Sequence, residues 1–269
     1  MTDGSVLVVL PTLGDRLDTL ELTLATIDAQ RDDVPLRLVV VAPESASAAR
    51  DLALSHGATV VGDPKSGISA AINAGIDAAG SESYYAWMGD DDLFRPGGLR
   101  RLLDLMQSGP DVVVTYGGCD YIDPQGNVIG TSRAGRAARW LLPWGPDLIP
   151  HPGSMIRLDA MRAVGLFDPT LRYAMDLDMF LRLRSSGRYL STREPVSAFR
   201  WHPDSLTVAN RQASSAESEA VKRRHLAPAL RPVAPLWEFP LRWAASRAAT
   251  AVSRRARRLA HEGEVTHAV

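Results

Sequence analysis

A chain of 269 residues has room for one large domain or two small ones, and 45% hydrophobic with 23% charged residues excludes a disordered, collagen-like or low-complexity polymer. Its 30 Lys plus Arg against 31 Asp plus Glu leave a formal charge of -1, which gives no global reason to expect nucleic acid or another polyanion. The single cysteine, Cys119, rules out an internal disulfide framework and a cysteine-built zinc site. It fits a reducing, cytosolic compartment, in keeping with the lack of a basic leader or an apolar run of about 18 residues.

The chain opens on Ser5 to Leu10, an apolar, β-branched run closed by Pro11, as expected of a strand buried on both faces. Leu17, Leu20, Leu24 and Ile27 follow at helical spacing, with Asp15 placed to cap that helix. The alternation continues with a strand Leu38 to Val41, a helix to about Ser55, a strand Thr59 to Val61, a helix Ser66 to Ala78 and a strand Tyr84 to Met88. Strands alternating with helices predict a mostly parallel sheet covered on both faces. Ligands of such sheets bind beyond the carboxyl ends of the strands, so the loops at Pro11, Ala42, Gly62 and Gly89 are the places to search.

The last of these loops reads Gly89-Asp90-Asp91-Asp92. Adjacent carboxylates repel one another, and a strand end that holds them together calls for a compensating cation. Hard divalent cations accept carboxylate oxygens together with phosphate oxygens of a substrate. The simpler reading is a solvated acidic turn ahead of the helix near Pro96, where negative charge suits the helix dipole. Its position at the mouth of a parallel sheet favours the first reading.

Beyond Leu105 the chain predicts strands Asp111 to Tyr116, Cys119 to Ile122 and Val128 to Gly130, the last two joined by the hairpin turn Asp123-Pro124-Gln125-Gly126. Arg133 to Pro152 has no periodicity and reads as a long functional loop. A strand Ser154 to Arg157, a helix Asp159 to Val164 and a helix opening near Asp176 come next, then a strand Val196 to Arg200. Asp176 and Asp178 stand roughly 200° apart around a helix, so only one of them can face a cleft.

Five segments taken in order resemble family 2 glycosyltransferases of the GT-A fold. They are the opening strand into Pro11-Thr12; Gly67 to Gly75 with Asn73; Gly89-Asp90-Asp91-Asp92 followed by Pro96; Gly165-Leu166-Phe167-Asp168 leading to Asp176-Leu177-Asp178; and Phe199-Arg200-Trp201-His202. The resemblance spans roughly residues 5 to 208 and implies a Rossmann-like α/β fold, a nucleotide-diphosphate sugar donor, Mg²⁺ or Mn²⁺, one carboxylate base and inversion at the anomeric carbon. It makes Asp91 a metal ligand, Asp90 a contact to the ribose or to a metal-bound water, and Asp92 a support of the metal. The family's first acidic position is Gly89 here. Asp176 corresponds to the general base, and Met175 stands where the family has a Glu; the alternative for Asp176 is a helix N-cap. His202 would close over the diphosphate or complete the metal shell, and His151 either begins the acceptor-side strand or is an ordinary loop histidine. Pro11, Thr12 and Arg16 would line the nucleotide, Glu44 would read the base edge, and Lys65, Gly67 and Asn73 would reach ribose or phosphate, unless Gly67 simply starts a helix.

These features divide the chain into a GT-A domain over 1–213, with a nucleotide-sugar half to about 118 and a small antiparallel acceptor-side half over 119–213, and a helical extension over 214–269. The charge divides too: residues 222–269 hold 10 Lys plus Arg against 3 Asp plus Glu, while the rest is acidic. With Trp237, Phe239, Leu241 and Trp243 among them, residues 222–258 read either as a helix packed on the domain or as a basic amphipathic surface for an anionic membrane at the inner, cytoplasmic face. Three functions stay open: a metal-dependent glycosyltransferase acting on a saccharide, lipid-linked or small-molecule hydroxyl; a nucleotidyltransferase; and a non-catalytic nucleotide or carbohydrate binder. The Pro11 to Arg16 loop, with one Gly and one Arg, lacks the glycine-rich basic cradle a triphosphate needs, which disfavours the second.

Overall fold

The structure is a computed structural model that describes residues 4–133, 135–201, 210–238, 240 and 247. The opening units appear as read: β1 (Val6–Pro11), α1 (Leu17–Asp28), β2 (Leu36–Ala42), α2 (Ser47–Ser55), β3 (Thr59–Gly62), α3 (Ile68–Asp77) and β4 (Tyr84–Trp87). The short β5 (Leu93–Phe94) and α4 (Gly98–Gln107) lead to β6 (Val112–Ile122) and β7 (Val128–Ser132). Then come α5 (Ala138–Leu141), a 3-10 turn His151–Gly153, β8 (Ser154–Arg157), α6 (Leu158–Ala163), α7 (Met175–Leu183), β9 (Arg188–Arg200) and α8 (Arg211–His225).

Among the described residues, nine strands join one sheet in the order β3-β2-β1-β4-β8-β6-β9-β5, with β7 paired to β6. Pairing is parallel across β3, β2, β1 and β4, and again between β6 and β9. It is antiparallel where β8 lies between β4 and β6 and where β5 and β7 join. The two-faced burial expected of the opening strand is literal in β1, buried at every position. Val6, Val8 and Leu10 of β1 pack with Leu20, Leu24 and Ile27 of α1 and with α4, while Leu7 and Val9 pack on the other face with Ile72 and Ile76 of α3 and with α7. Side chains alternate across a strand, so each β1 residue serves one core or the other. Gly75 lets α3 sit this close, since a Cβ there would stand 2.5 Å from a Val9 methyl.

Three expectations are corrected. Asp15 does not cap α1, whose N-cap position is Arg16 with no side-chain cap. The strands expected at Asp111 to Tyr116 and Cys119 to Ile122 are one eleven-residue strand. Gly117 and Gly118 mark a register shift and a close approach: a Cβ on Gly117 would meet Val196 at 2.5 Å. The last strand begins at Arg188, eight residues before the expected start, because its charged outer half and Pro195 hid its alternation.

Within the described part of the basic extension, α8 packs on the domain through Val221, which is buried in the α3 and α7 core. Among the described residues no helix is long and apolar enough to cross a membrane.

Candidate active site

β1 and β4 lie side by side with Val9 opposite Trp87, so Thr12 and the loop after Trp87 leave the sheet at the same edge. Thr12 is buried; its N–H donates to the Val41 carbonyl at 2.9 Å and its hydroxyl to Asp90 Oδ2 at 2.7 Å. Arg16 reaches over the loop, with Nη1 2.5 Å from Asp91 Oδ2 and 3.7 Å from Asp90 Oδ1. Burial first, opposed by the Thr12 hydrogen bond and then reinforced by the Asp91 charge, leaves the Asp90 carboxyl above the ordinary carboxylate range.

Asp92 takes a different place. It is 1% exposed, and its Oδ1 accepts from the Arg200 N–H at 3.0 Å. Burial, and then the Asp91 charge, push it well above the usual range. Arg200, also buried, donates to the carbonyls of Asp91, Asp123 and Pro124 at 2.8–3.1 Å. The Asp92 carbonyl accepts from the Thr23 hydroxyl at 2.8 Å. Asp92 and Arg200 are therefore struts that fix the loop from below, whereas Asp90 and Asp91 face Arg16. Gly89 fits the same packing, since a Cβ there would stand 3.0 Å from Asp92 Oδ2 and 3.2 Å from Asp91 Oδ1.

Hard carboxylate oxygens that share a cationic neighbour are a donor set suited to Mg²⁺ or Mn²⁺ when diphosphate oxygens complete the shell. Asp90 and Asp91 would supply the protein's part, and Arg16 now provides the positive charge that such an ion would bring. Among the described residues no group of three His, Cys, Asp or Glu side chains is arranged to hold an ion. His202 lies outside the described residues.

The other expected nucleotide contacts are spread along the same edge. Pro11 is buried at the end of β1, and Glu44 is exposed in the turn after β2. Lys65 is exposed with φ 57° and donates its N–H to Asp63 Oδ1 at 2.9 Å. Gly67 has φ 95° and precedes α3, a conformation glycine adopts freely. Asn73 is committed elsewhere: its amide donates to the Phe167 carbonyl at 2.8 Å and accepts from the Phe167 N–H at 3.1 Å. It clasps α3 to the Gly165–Asp168 loop.

Asp176 stands in the first turn of α7, with Oδ1 accepting from the Leu177 N–H at 2.8 Å. The N-cap position belongs to Ala174, so Asp176 is not the cap. Burial first, opposed by backbone N–H groups and reinforced by the Glu217 charge, raises its carboxyl to about 6. Asp178 faces the other way and binds Arg182 Nε at 2.8 Å and His225 Nε2 at 3.1 Å. Burial pushes Asp178 up, but those partners outweigh it and leave the group below its ordinary value.

Asp147, in the loop before the 3-10 turn, was not anticipated from the sequence. Its Oδ1 accepts from the Ile149 N–H at 3.1 Å, and the surrounding protein, then the Asp176 charge, raise its carboxyl. A lone Asp in an aperiodic Trp- and Pro-rich stretch carried no signal. Tyr85 and Trp87 point to the same side of β4. Tyr85 Oη lies 3.3 Å from His151 Nε2, and Trp87 stacks on His151 at 4.5 Å. Burial lowers His151 to about 3, so it is a neutral core histidine.

A sheet whose β1 and β4 ends carry an acidic loop, with a further carboxylate in the first turn of α7, fits a glycosyltransferase of the GT-A fold. The chain belongs to glycosyltransferase family 2: residues 7–157 match the family described as Glycosyl transferase family 2. No curated protein matches it. Among solved structures, the mannosyltransferase PcManGT from Pyrobaculum calidifontis in complex with GDP-Man and Mn²⁺ superposes with a TM-score of 0.61 at 19% identity, covering 97% of this chain and 79% of that one. S. aureus TarS 1-349 gives 0.57 at 14% identity, covering 83% and 69%. Glucosyl-3-phosphoglycerate synthase from Mycobacterium tuberculosis, in complex with Mn²⁺, UDP and phosphoglyceric acid, gives 0.57 at 20%, covering 81% and 78%.

Proposed function

We propose that this glycosyltransferase moves a sugar from a nucleotide-diphosphate donor to an acceptor hydroxyl with inversion, in the synthesis of a polysaccharide, glycolipid or other glycoconjugate. The observation that carries the reading is the separation of the acids into two environments. Asp90 and Asp91 surround a positive charge at the β1 and β4 ends, while Asp176 stands apart, drawn by burial to about 6. Carboxylates whose environments differ in this way take different tasks.

The donor's bond between the anomeric carbon and the diphosphate oxygen breaks, and the acceptor oxygen forms its bond to that carbon from the opposite face. Asp176 accepts the hydroxyl proton as the new bond forms, and a carboxylate with a pKa near 6 is both ionised and basic enough at neutral pH. The nucleoside diphosphate departs with the electron pair; bound Mg²⁺ or Mn²⁺ supplies Lewis-acid stabilisation of its charge. Asp91 and Asp90 would hold that ion, and His202, which lies outside the described residues, would be a further ligand; Asp92 shapes the loop beneath Asp90 and Asp91. Pro11, Thr12, Arg16, Glu44, Lys65 and Gly67 line the nucleotide. The neighbours with GDP-Man, UDP-GlcNAc, UDP and Mn²⁺ in their complexes support this reading.

A panel of nucleotide sugars and nucleoside triphosphates, screened by thermal shift with and without Mn²⁺, tests the donor class. A ligand of the native state at 100 times its Kd stabilises by about 2.7 kcal/mol. At least one nucleotide sugar is expected to raise Tm in a metal-dependent way; a response confined to triphosphates would move the assignment to nucleotidyl transfer.

The acceptor side offers a reason for working at a membrane. Trp140 is 66% exposed and Leu236 76%, and Leu141, Leu230 and Val233 are exposed as well. Trp144 meets Trp237 edge to face at 5.3 Å, joining the two segments, and Arg139 lies over the Trp140 ring. An apolar surface with indoles, in a chain whose residues 222–269 carry a large positive excess in sequence, would complement an anionic bilayer at the inner face. The remaining part of 222–258 lies outside the described residues. Flotation with vesicles of phosphatidylglycerol is expected to carry the protein and phosphatidylcholine vesicles are not; binding to neither contradicts the membrane contact.

A further inference from the structure

α8 lies beyond the residues that match the family, yet it reaches back to the residues just ahead of Asp176. Glu217 Oε1 accepts from the N–H groups of Arg172 at 3.1 Å, Tyr173 at 2.7 Å and Ala174 at 2.8 Å, and Oε2 accepts from Arg172 at 3.2 Å. These amides stand where the chain turns into α7. Ala174 at the N-cap has no side-chain acceptor, and of the first-turn amides the α7 side chain Asp176 takes only the Leu177 N–H. A carboxylate from a distant helix thus gathers the N–H groups at this helix start, where negative charge is also favoured by the dipole.

The rest of α8 holds Glu217 in that place. Val221 is buried in the core, Lys222 Nζ donates to the Gly145 carbonyl at 2.5 Å, His225 Nε2 lies 3.1 Å from Asp178 Oδ1, and Arg224 Nη1 lies 3.6 Å from Asp168 Oδ2. Three loops converge on this helix: the one carrying Asp147, the Gly165–Asp168 loop clasped by Asn73, and the 172–174 turn.

We infer that Glu217 is a positioning residue for sugar transfer: from α8 it fixes the 172–174 turn and so aims the Asp176 carboxylate, which makes α8 part of the working site. The inference rests on reading Asp176 as the general base. Glu217 is the charge that acts on Asp176; the Asp176 charge in turn raises Asp147 from the preceding loop and the Tyr85 hydroxyl from β4, whereas Arg182 and His225 are committed to Asp178 and Lys222 feels Asp147.

The test uses the full chain with Glu217→Ala and Glu217→Gln. Loss of the carboxylate in Glu217→Ala is expected to lower kcat about 10- to 100-fold, the scale set by a misplaced catalytic group, while the donor-induced thermal shift is unchanged. Amide exchange at 172–174 is expected to rise. Glu217→Gln keeps an acceptor oxygen but removes a charge that raises Asp176, so it is expected to retain most of kcat and to move the acid limb of kcat/KM to lower pH. A folded Glu217→Ala with parental kcat, or Glu217→Gln with an unmoved acid limb, overturns the inference; if Glu217→Ala does not fold, the Gln variant alone decides. Asp176→Asn is run beside them. If it is inactive while both Glu217 variants behave as the parent, only the role of Glu217 fails; if it transfers sugar at the parental rate, the base assignment fails and this inference with it.

Discussion

Asp176→Asn is expected to lower sugar transfer by about 10² to 10⁴-fold, the usual contribution of a positioned general base, while donor binding survives. The same change is expected to raise stability at neutral pH. The carboxyl goes from 3.8 in an unfolded reference to about 6 in the folded protein, chiefly through burial. Because the folded value is the higher one, the ionised group opposes folding above pH 6, and that penalty fades as pH falls through 6 toward 4, where both states are protonated. About two units amount to on the order of 3 kcal/mol. Asparagine keeps an acceptor for the Leu177 N–H and carries no charge. The variant's Tm is therefore expected to exceed the parent's at pH 7 to 8 and to meet it near pH 4. Parental activity is expected to fall tenfold per unit below about pH 6. A variant less stable than the parent at pH 8 contradicts this description of the site.

Asp91→Asn is expected to abolish the metal dependence of donor binding and to lower turnover by about 10³-fold, the scale of several kcal/mol of lost leaving-group stabilisation. Folding is expected to change little. Arg16 is 39% exposed at its side chain, and partly exposed ion pairs contribute about 1 kcal/mol or less. The loop beneath is held by the Asp91 main chain, whose carbonyl takes Arg200 Nε at 2.9 Å, and the substitution leaves that bond in place. Removing the Asp91 charge also relieves Asp90 and Asp92, both of which it pushes upward, so each is expected to ionise at lower pH in the variant. Thermal shift with the responsive donor, with and without Mn²⁺, checks the first outcome, and the unliganded Tm checks the second. A donor shift that keeps its Mn²⁺ dependence removes Asp91 as the ligand.

The parts of the fold legible in the sequence were those written in local periodicity. Strands such as Val6–Pro11 are buried on both faces and so are apolar at every position, and α1 repeats its leucines at helical spacing. In the sequence Gly117 and Gly118 look like a break in β6; what they answer to is the Val196 side chain against Gly117 and the Arg193, Glu194 and Ser132 carbonyls against Gly118, all distant in sequence. The outer half of β9 is charged and pairs along an edge, which leaves no alternation to find. The site divides in the same way. Asp91 at a strand end and Asp176 near a helix start could be singled out from their own neighbourhoods. The pairing of Arg16 with Asp91, the grip of Arg200 on the acidic loop, the Asn73 clasp and the hold of Glu217 on the 172–174 turn all join residues more than forty positions apart. Nothing in local spacing encodes such contacts. Asp147 had no periodic context at all, and it became visible only beside Asp176.

In the proposed reaction Asp176 deprotonates an acceptor hydroxyl attacking the anomeric carbon from the face opposite the diphosphate. The most direct measurement is a proton and phosphorus NMR record of the first turnovers with the donor that the panel identifies, taken for the parent and Asp176→Asn together. The parent is expected to release nucleoside diphosphate and to give a product of inverted anomeric configuration, and Asp176→Asn to give neither while still binding donor. A product of retained configuration, cleavage at phosphorus, or parental turnover by Asp176→Asn would contradict the proposed reaction.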